Sequence, residues 1–438
     1  MAFTFVDLFA GIGGFHAALS GMGGKCVYAV ENDKNAAEIY QKNWGISAFG
    51  DITQDANEKV KVPPHDVLVA GFPCQPFSKS GDQKGMNETR GTLFWNILKI
   101  VEKRKPSLIL LENVRNLVGP RHQHEWKIII KSLREQGYSV SDKPSIFSPH
   151  LLPPDLGGRP QVRERVFIAA VKNPKRKTNS DFIKPLLLNK PVLGWDPNNW
   201  NLDKHLLSVV QTKKFNKLTE LEIYWINAWN EFVIEITNSR KQRLPGFPLW
   251  GDDWILPKNL NQKELDKLPE WKSDFLIKNS NFYKENKKFI DQWTKKWNFY
   301  TDKFPPSRRK LEWQAQDTKD LWSTVMHFRP SGIRAKRATY LPTLVAITQT
   351  SIIGKKKRRI SIEEAAHLQG LPTWFSFENQ KESATFKQLG NGVNVAAVWY
   401  VLKQISSTYN QILNETAPKV LKSITSAPDS PDEIINKL

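Results

Sequence analysis

The chain has 438 residues, with 64 Lys and Arg against 44 Asp and Glu, a formal charge of +20. A hydrophobic content of 40%, with 16 Trp and 23 Phe, excludes a disordered basic tail and supplies core for roughly two or three domains. Two cysteines, Cys26 and Cys74, exclude a disulfide scaffold and a Cys-based zinc cluster, and neither a signal peptide nor a membrane span is legible, so the expected partner of a reducing-compartment protein this basic is a polyanion, most often nucleic acid.

In chain order, Phe3–Phe9 is a β-rich apolar run that ends at glycines, and Phe15–Leu19 begins a helical pattern. Further apolar runs follow at Cys26–Val30, His65–Ala70 and Leu108–Leu111, with helical patterns at Leu93–Lys103 and Trp126–Gln136 between or after them. Strands alternating with helices predict an α/β domain with a doubly wound, mostly parallel sheet. Such sheets bind ligands beyond the C-terminal ends of their strands, so the residues that follow each run are the candidates.

After the first run come Asp7-Leu8-Phe9-Ala10-Gly11-Ile12-Gly13-Gly14, where glycines permit a tight turn and close approach of a ligand. The second run ends in Glu31-Asn32-Asp33, an acid placed to bond ribose hydroxyls. Together they suggest an adenosine-containing cofactor, although the spacing is not G-x-G-x-x-G and a glycine turn alone is equally a structural turn. Asp51 suits either an adenine amino group or a helix cap. The third run leads to Cys74 between Pro73 and Pro76, a stiff loop that presents a sulfur, or else an inert apolar side chain. The fourth leads to Glu112, which faces the thiol across a cleft if the two strands are neighbours and is otherwise a cap or an ion-pair partner. Gln161–Phe167 alternates like a strand, which puts Arg163 and Arg165 on one face, for a carbonyl oxygen and a phosphate or simply for solvent.

The middle of the chain has a different texture. Asp181–Ile360 holds 33 Lys and Arg against 19 Asp and Glu, and 11 of the 16 Trp. Boundaries are expected near Lys172–Asp181 and Ile353–Ile360, and the last thirty or so residues are expected to be weakly ordered. Phosphate-binding candidates are the lysines of 284–296, Ser307–Lys310, Arg329–Arg337 and Lys355–Arg359. Pro330 and Gly332 mark a loop that could enter a groove, with Arg334 and Arg337 as guanine readers. Most of these charges are expected to be phosphate contacts or solvated surface, and most Trp to be core.

In order, the segments FAGIGG, END, GDI, PCQPFS, TRGTLF, ENV and QVRER, followed by Ile360–Pro372 (ISIEEAAHLQGLP) and Lys387–Ala396 (KQLGNGVNVA), resemble the cytosine-5 DNA methyltransferase family of prokaryotic restriction–modification type. The resemblance covers roughly 3–167 and 360–401 and leaves the basic middle unmatched, as a variable target-recognition region would be. His367 and Leu371 depart from the family's usual Arg and Phe, in the helix that supports that region. The resemblance implies a Rossmann-like S-adenosylmethionine-dependent fold over 1–178, a target-recognition domain over 179–358, a returning segment over 359–408 and a tail over 409–438. It implies that Cys74 adds to C6 of a flipped-out cytosine, with Glu112 on N3 and Arg165 on O2. Arg163, Gln161 and Gln75 would complete the catalytic set. S-adenosylmethionine would lie against Asp7, Phe9, Ala10, Gly11, Gly13, Gly14, Glu31 and Asn32. Asp51 and Ile52 would meet the adenine, Pro73 and Leu93 the methionine end, and Asn391 and Val393 would close the pocket. Ser78, Arg90, Arg329, Arg334, Lys336 and Arg337 are the DNA-contact candidates, and no metal is expected. The implied partner is double-stranded DNA, met by a cytoplasmic monomer whose cognate endonuclease acts independently. Transfer RNA methylation and a catalytically inactive DNA-binding protein are the alternatives; a nicotinamide oxidoreductase fails on the glycine spacing and leaves the charge unexplained.

Overall fold

The computed structural model describes residues 2–73, 92–175, 183–188, 190–208, 216–344 and 350–438. The chain forms two compact units, one of Met1–Trp200, Pro342–Ile347 and Ile362–Leu438, the other of Asn201–Leu341 and Thr348–Ser361.

The larger unit is built on a seven-stranded sheet: β1 (Thr4–Leu8), β2 (Lys25–Val30), β3 (Val67–Gly71), β4 (Leu108–Val114), β5 (Tyr138–Val140), β6 (Ser145–Phe147) and β7 (Arg165–Lys172). Its order is β2-β1-β3-β4-β7-β5, with β6 also on β7. The pairs among β2, β1, β3 and β4 are parallel, whereas β7 meets β4, β5 and β6 antiparallel. The parallel part is the one read from the sequence; the antiparallel edge was not foreseen, because its strands are three residues long or follow a polar segment. Successive side chains alternate between the two faces. Val6, Leu8, Leu68, Ala70, Ile109 and Leu111 share one core with the helices Leu93–Arg104 and Gln123–Glu135. Phe5, on the opposite face, meets His16 of the helix Gly14–Gly21 edge-on at 5.5 Å. The sheet is therefore wound on both sides.

Two expectations about extent are corrected. The chain leaves the larger unit at Trp200, not at 178, because the indoles of Trp195 and Trp200 both donate to the His150 carbonyl, at 3.1 and 2.9 Å. The final thirty residues are packed rather than weakly ordered. They contain the helices Asn410–Thr416 and Pro418–Ser426, bury Leu413, Val420, Ile424 and Ile435, and are pinned by Trp399 to the Pro428 carbonyl (3.0 Å) and by Arg159 to Asp432 (2.6 Å).

The smaller unit has a six-stranded sheet of β8 (Leu249–Trp250), β9 (Lys310–Gln314), β10 (Thr324–Arg329), β11 (Gly332–Arg337), β12 (Ile352–Ile353) and β13 (Arg358–Arg359), in the order β13-β12-β10-β11-β9-β8. The helices Glu220–Ile234 and Glu270–Lys296 contribute to one aromatic core with it, in which Trp229, Trp254, Trp293 and Trp313 are buried. Most of the tryptophans there are packing, as expected.

Candidate active site

The parallel strands bring their C-terminal ends to one edge. Gly71, the last residue of β3, pairs with Glu112 on β4, and Leu8 of β1 pairs with Val30 of β2 and Ala70 of β3. The neighbour relation on which the Glu112 reading depended is thus met. Neighbouring strands lie about 4.8 Å apart, and a Cβ built on Gly71 would lie 3.4 Å from Glu112 Oε2. Cys74, Gln75, Ser78 and Arg90 lie outside the described residues. Pro73, the last residue before them, is exposed, and the Phe72 carbonyl just before it accepts from Asn113 Nδ2 at 2.8 Å. Asn113 was not singled out from the sequence; its position inside ENV was the available signal.

Glu112 is 7% exposed and lies within β4 rather than after it. Arg165 Nε donates to its Oε1 at 2.8 Å. Burial raises the Glu112 pKa, and the guanidiniums of Arg165 and Arg163 only partly offset that. Arg163 and Arg165 do not share a strand face, because β7 begins at Arg165. Arg163 is buried and turned to backbone carbonyls: Leu344 at 3.2 Å, Gly390 at 2.8 Å and Gly392 at 2.5 Å. It ties the C-terminal segment to the sheet. Arg163→Met should leave three carbonyls short of a donor and cost about 3 kcal/mol or more, read as a lower melting temperature with an unaltered far-ultraviolet spectrum below it. Gln161 is fully buried, and neither atom of its amide has a partner among the described residues.

The cofactor side is assembled from β1, β2 and the returning C-terminal segment. Phe9, Gly11 and Gly13 have φ of 56°, 55° and 92°. The turn is held by Gly13 N–H on the Ala10 carbonyl (2.9 Å) and by the Trp44 indole on the Ile12 carbonyl (3.0 Å). Glu31 receives Gly11 N–H on Oε2 (2.9 Å) and Asp33 N–H on Oε1 (2.8 Å), so its carboxylate is fixed at the sheet edge. Val393 closes on the turn: a Cβ on Gly14 would lie 2.4 Å from its carbonyl oxygen. Asn391 is exposed beside it, as is Asn32 beyond β2. Ile52 is buried, and Asp51 caps its short helix by accepting from the Thr53 amide at 2.9 Å. Leu93 opens the helix Leu93–Arg104, half-buried against the core. Asp7 departs from its expected place. It lies inside β1, fully buried, and accepts from Tyr40 Oη at 3.4 Å, while Tyr40 also bonds His16 Nδ1 at 2.7 Å. The second thiol, Cys26, is buried with its pKa pushed up to about 12 by desolvation and by Asp7, which fits packing rather than chemistry.

Gly13 has no room for a side chain: a Cβ would lie 2.1 Å from Trp44 Nε1, at a φ that L-residues avoid. Gly13→Ala should strain the turn by about 1–3 kcal/mol. The expected result is a raised KM for the methyl donor with a smaller change in KM for DNA, measured by varying each in turn.

The smaller unit revises the base-reading candidates. Pro330 and Gly332 do mark a turn, the tight one of the β10–β11 hairpin, in which Arg329 pairs with Gly332. Arg334, Lys336 and Arg337 therefore lie on a strand. Arg334 is paired to Glu312 on the neighbouring strand at 2.7 Å, and Arg337 to Asp317 at 2.5 Å. Lys336 is half-buried, and Arg329 gives its carbonyl to Arg308.

A family model of the C-5 cytosine-specific DNA methylases matches residues 3–407. The chain belongs to this family. It is 45% identical to the Type II methyltransferase M.AluI of Cellulosimicrobium cellulans over an alignment that takes in 100% of this chain and 98% of that one. It is 43% identical to M.HhaI of Haemophilus parahaemolyticus over 42% of this chain and 54% of that one. The solved structure of a prophage-encoded Escherichia coli protein, described as a DNA modification methyltransferase, has the same fold, with a TM-score of 0.50 and 20% identity over 94% of this chain and 100% of that one. The protein is accordingly a cytosine-5 DNA methyltransferase with a Rossmann-like α/β core. Among the described residues, no helix is long and apolar enough to cross a membrane.

Proposed function

We propose that this methylase modifies C5 of a cytosine in a specific short duplex sequence, as the modification partner of a restriction system, using S-adenosylmethionine. The single observation that carries the chemistry is the Gly71–Glu112 pairing, with Arg165 on Glu112. It puts an acid with a raised pKa, and a guanidinium, beside the strand that leads to Cys74. The turn at Phe9–Gly14 and the fixed Glu31 carboxylate fit an adenosyl group, since each Glu31 oxygen can accept a second hydrogen bond from a ribose hydroxyl. When bound, S-adenosylmethionine supplies an electrophilic sulfonium methyl.

The chain's own residues do the rest. The target cytosine leaves the helix stack, at a cost of a few kcal/mol. The Cys74 thiolate forms a bond to C6, and Glu112 gives its proton to N3, which drains the developing charge. Arg165 holds O2. C5 is thereby made enamine-like, which readies it for an electrophilic methyl; once C5 is methylated, its proton leaves to a base, the electrons expel Cys74, and N3 returns its proton to Glu112. Arg163 and Asn113 act as positioning residues, the first for the C-terminal segment and the second for the backbone that leads to Cys74. The protein works as a cytoplasmic monomer, and its cognate endonuclease acts on the same site independently.

Incubation with methyl-tritiated S-adenosylmethionine and mixed-sequence duplex DNA should label the DNA. Bisulfite sequencing of DNA from a host that expresses the enzyme should show one short sequence protected. Label on RNA with none on duplex DNA, or protection scattered without a common sequence, would overturn this reading.

A further inference from the structure

One cleft in the smaller unit belongs to no part of the site described above. It has a volume of about 440 Å³ and is lined by Glu222, Ser307, Arg308, Phe328, Thr350 and Arg359, among others. Its polar groups are unequally satisfied. Glu222 is already engaged: Arg359 bonds both of its oxygens, and Thr219 N–H donates to Oε2 at 2.9 Å. Arg359 is thereby neutralised within the wall. Arg308 is not. Its Nη1 donates to the carbonyls of Ser307 (3.1 Å) and Arg329 (3.0 Å), its Nε has no hydrogen-bond partner, and no carboxylate pairs with it among the described residues. The guanidinium is held in place by the rings of Phe328 and Trp225, at 4.6 and 5.5 Å from their centroids. Thr350, also in the lining, is 7% exposed, and its Oγ1 has no partner among the described residues; Ser307 adds a second hydroxyl.

What the cleft still has to offer is thus one cation outside any ion pair among the described residues, and two hydroxyls, beside a carboxylate that Arg359 already holds. That set suits an anion with several acceptor oxygens. The neighbouring cations of Ser307–Lys310 are excluded from the role: Arg309 is paired to Asp252 at 2.9 Å, and Lys310 lies over the Trp250 ring at 5.5 Å. We propose that this cleft seats one backbone phosphate of the DNA substrate, with Arg308, Ser307 and Thr350 as its donors, and so positions the duplex without reading its sequence. Burial lowers the Arg308 pKa, an effect that the Glu222 carboxylate only partly offsets.

The test measures duplex affinity against salt for the full-length enzyme and its Arg308→Gln, Arg308→Lys and Thr350→Val variants. One lost phosphate contact reduces the slope of log K against log salt by roughly 0.9. Arg308→Gln should show that reduction, and should weaken cognate and unrelated duplexes by similar factors. Its kcat at saturating DNA and its KM for the methyl donor should be unchanged. Arg308→Lys should retain the slope. Thr350→Val should weaken both duplexes without altering the slope, and it carries the test if Arg308→Gln fails to fold. Unchanged binding by Thr350→Val, an unchanged slope in Arg308→Gln, or a changed methylation sequence would each overturn the proposal. The last outcome would make Arg308 a base reader. Inorganic phosphate at matched ionic strength should not displace duplex from the parent enzyme; specific displacement that Arg308→Gln abolishes, with its slope intact, would assign the cleft to free phosphate instead.

Discussion

Replacing Cys74 with serine is expected to abolish methyl transfer to duplex DNA while leaving DNA binding in place. C5 of cytosine is a poor nucleophile until a bond forms at C6, and that bond needs a nucleophile that ionises near neutral pH. A cysteine thiol has a pKa of about 8.5 and is readily activated, whereas a serine hydroxyl ionises far higher and needs its own dedicated base. No other thiol can take over, since the only other cysteine, Cys26, is buried with its pKa pushed up to about 12. The measurement is tritium incorporation into DNA alongside a gel-shift of the same duplex. Label at the parent rate from the serine variant would remove the covalent step from the mechanism.

Glu112→Gln should lower kcat by about 10²- to 10⁴-fold, the usual contribution of a positioned general acid. It should also change the shape of the pH profile. Burial raises the Glu112 pKa, so the carboxyl keeps its proton to higher pH than an exposed glutamate and loses it as pH rises through that pKa. Cys74 must lose its proton, so activity first climbs with pH as the thiolate forms. The parent profile should therefore rise as Cys74 ionises and lose, on its alkaline limb, what the Glu112 proton contributes. Glutamine cannot titrate, and the alkaline limb should vanish in the variant while the acid limb stays. An alkaline limb that survives in Glu112→Gln would assign it to another group. Stability follows the same sign: a carboxyl whose folded pKa is raised supports folding below its unfolded pKa, and that support is lost as pH rises through the folded value. The glutamine variant should therefore lose less stability between acid and neutral pH than the parent does.

The motif blocks were legible because their physical causes are local. Short apolar runs ending in Gly11, Glu31, Gly71 and Glu112 announce strands and the edge at which they stop. Glycines at positive φ mark turns that only they adopt without strain, and the approach of Val393 to Gly14 matched the expected return of the C-terminal segment. The location of the charge excess was likewise countable, although a count does not show which cations are already paired. Arg334 and Arg337 looked like free readers in the linear sequence, and become ion-paired strand residues once β9 and the turn after it are placed beside β11.

By itself, then, the sequence determined the family, the α/β core, the order of its motifs and a basic inserted region, all of which follow from residue type and short-range spacing. Tertiary structure alone decided three things. It set Gly71 opposite Glu112, through a strand pairing that spans about forty residues of chain. It assigned Arg163 to the carbonyls of Leu344, Gly390 and Gly392. It joined Arg308 to Thr350 across one cleft. The physical reason is common to all three. A backbone carbonyl or a lone hydroxyl becomes a partner by position, and every residue carries the same carbonyl, so nothing in its letter distinguishes the one that a buried guanidinium will find.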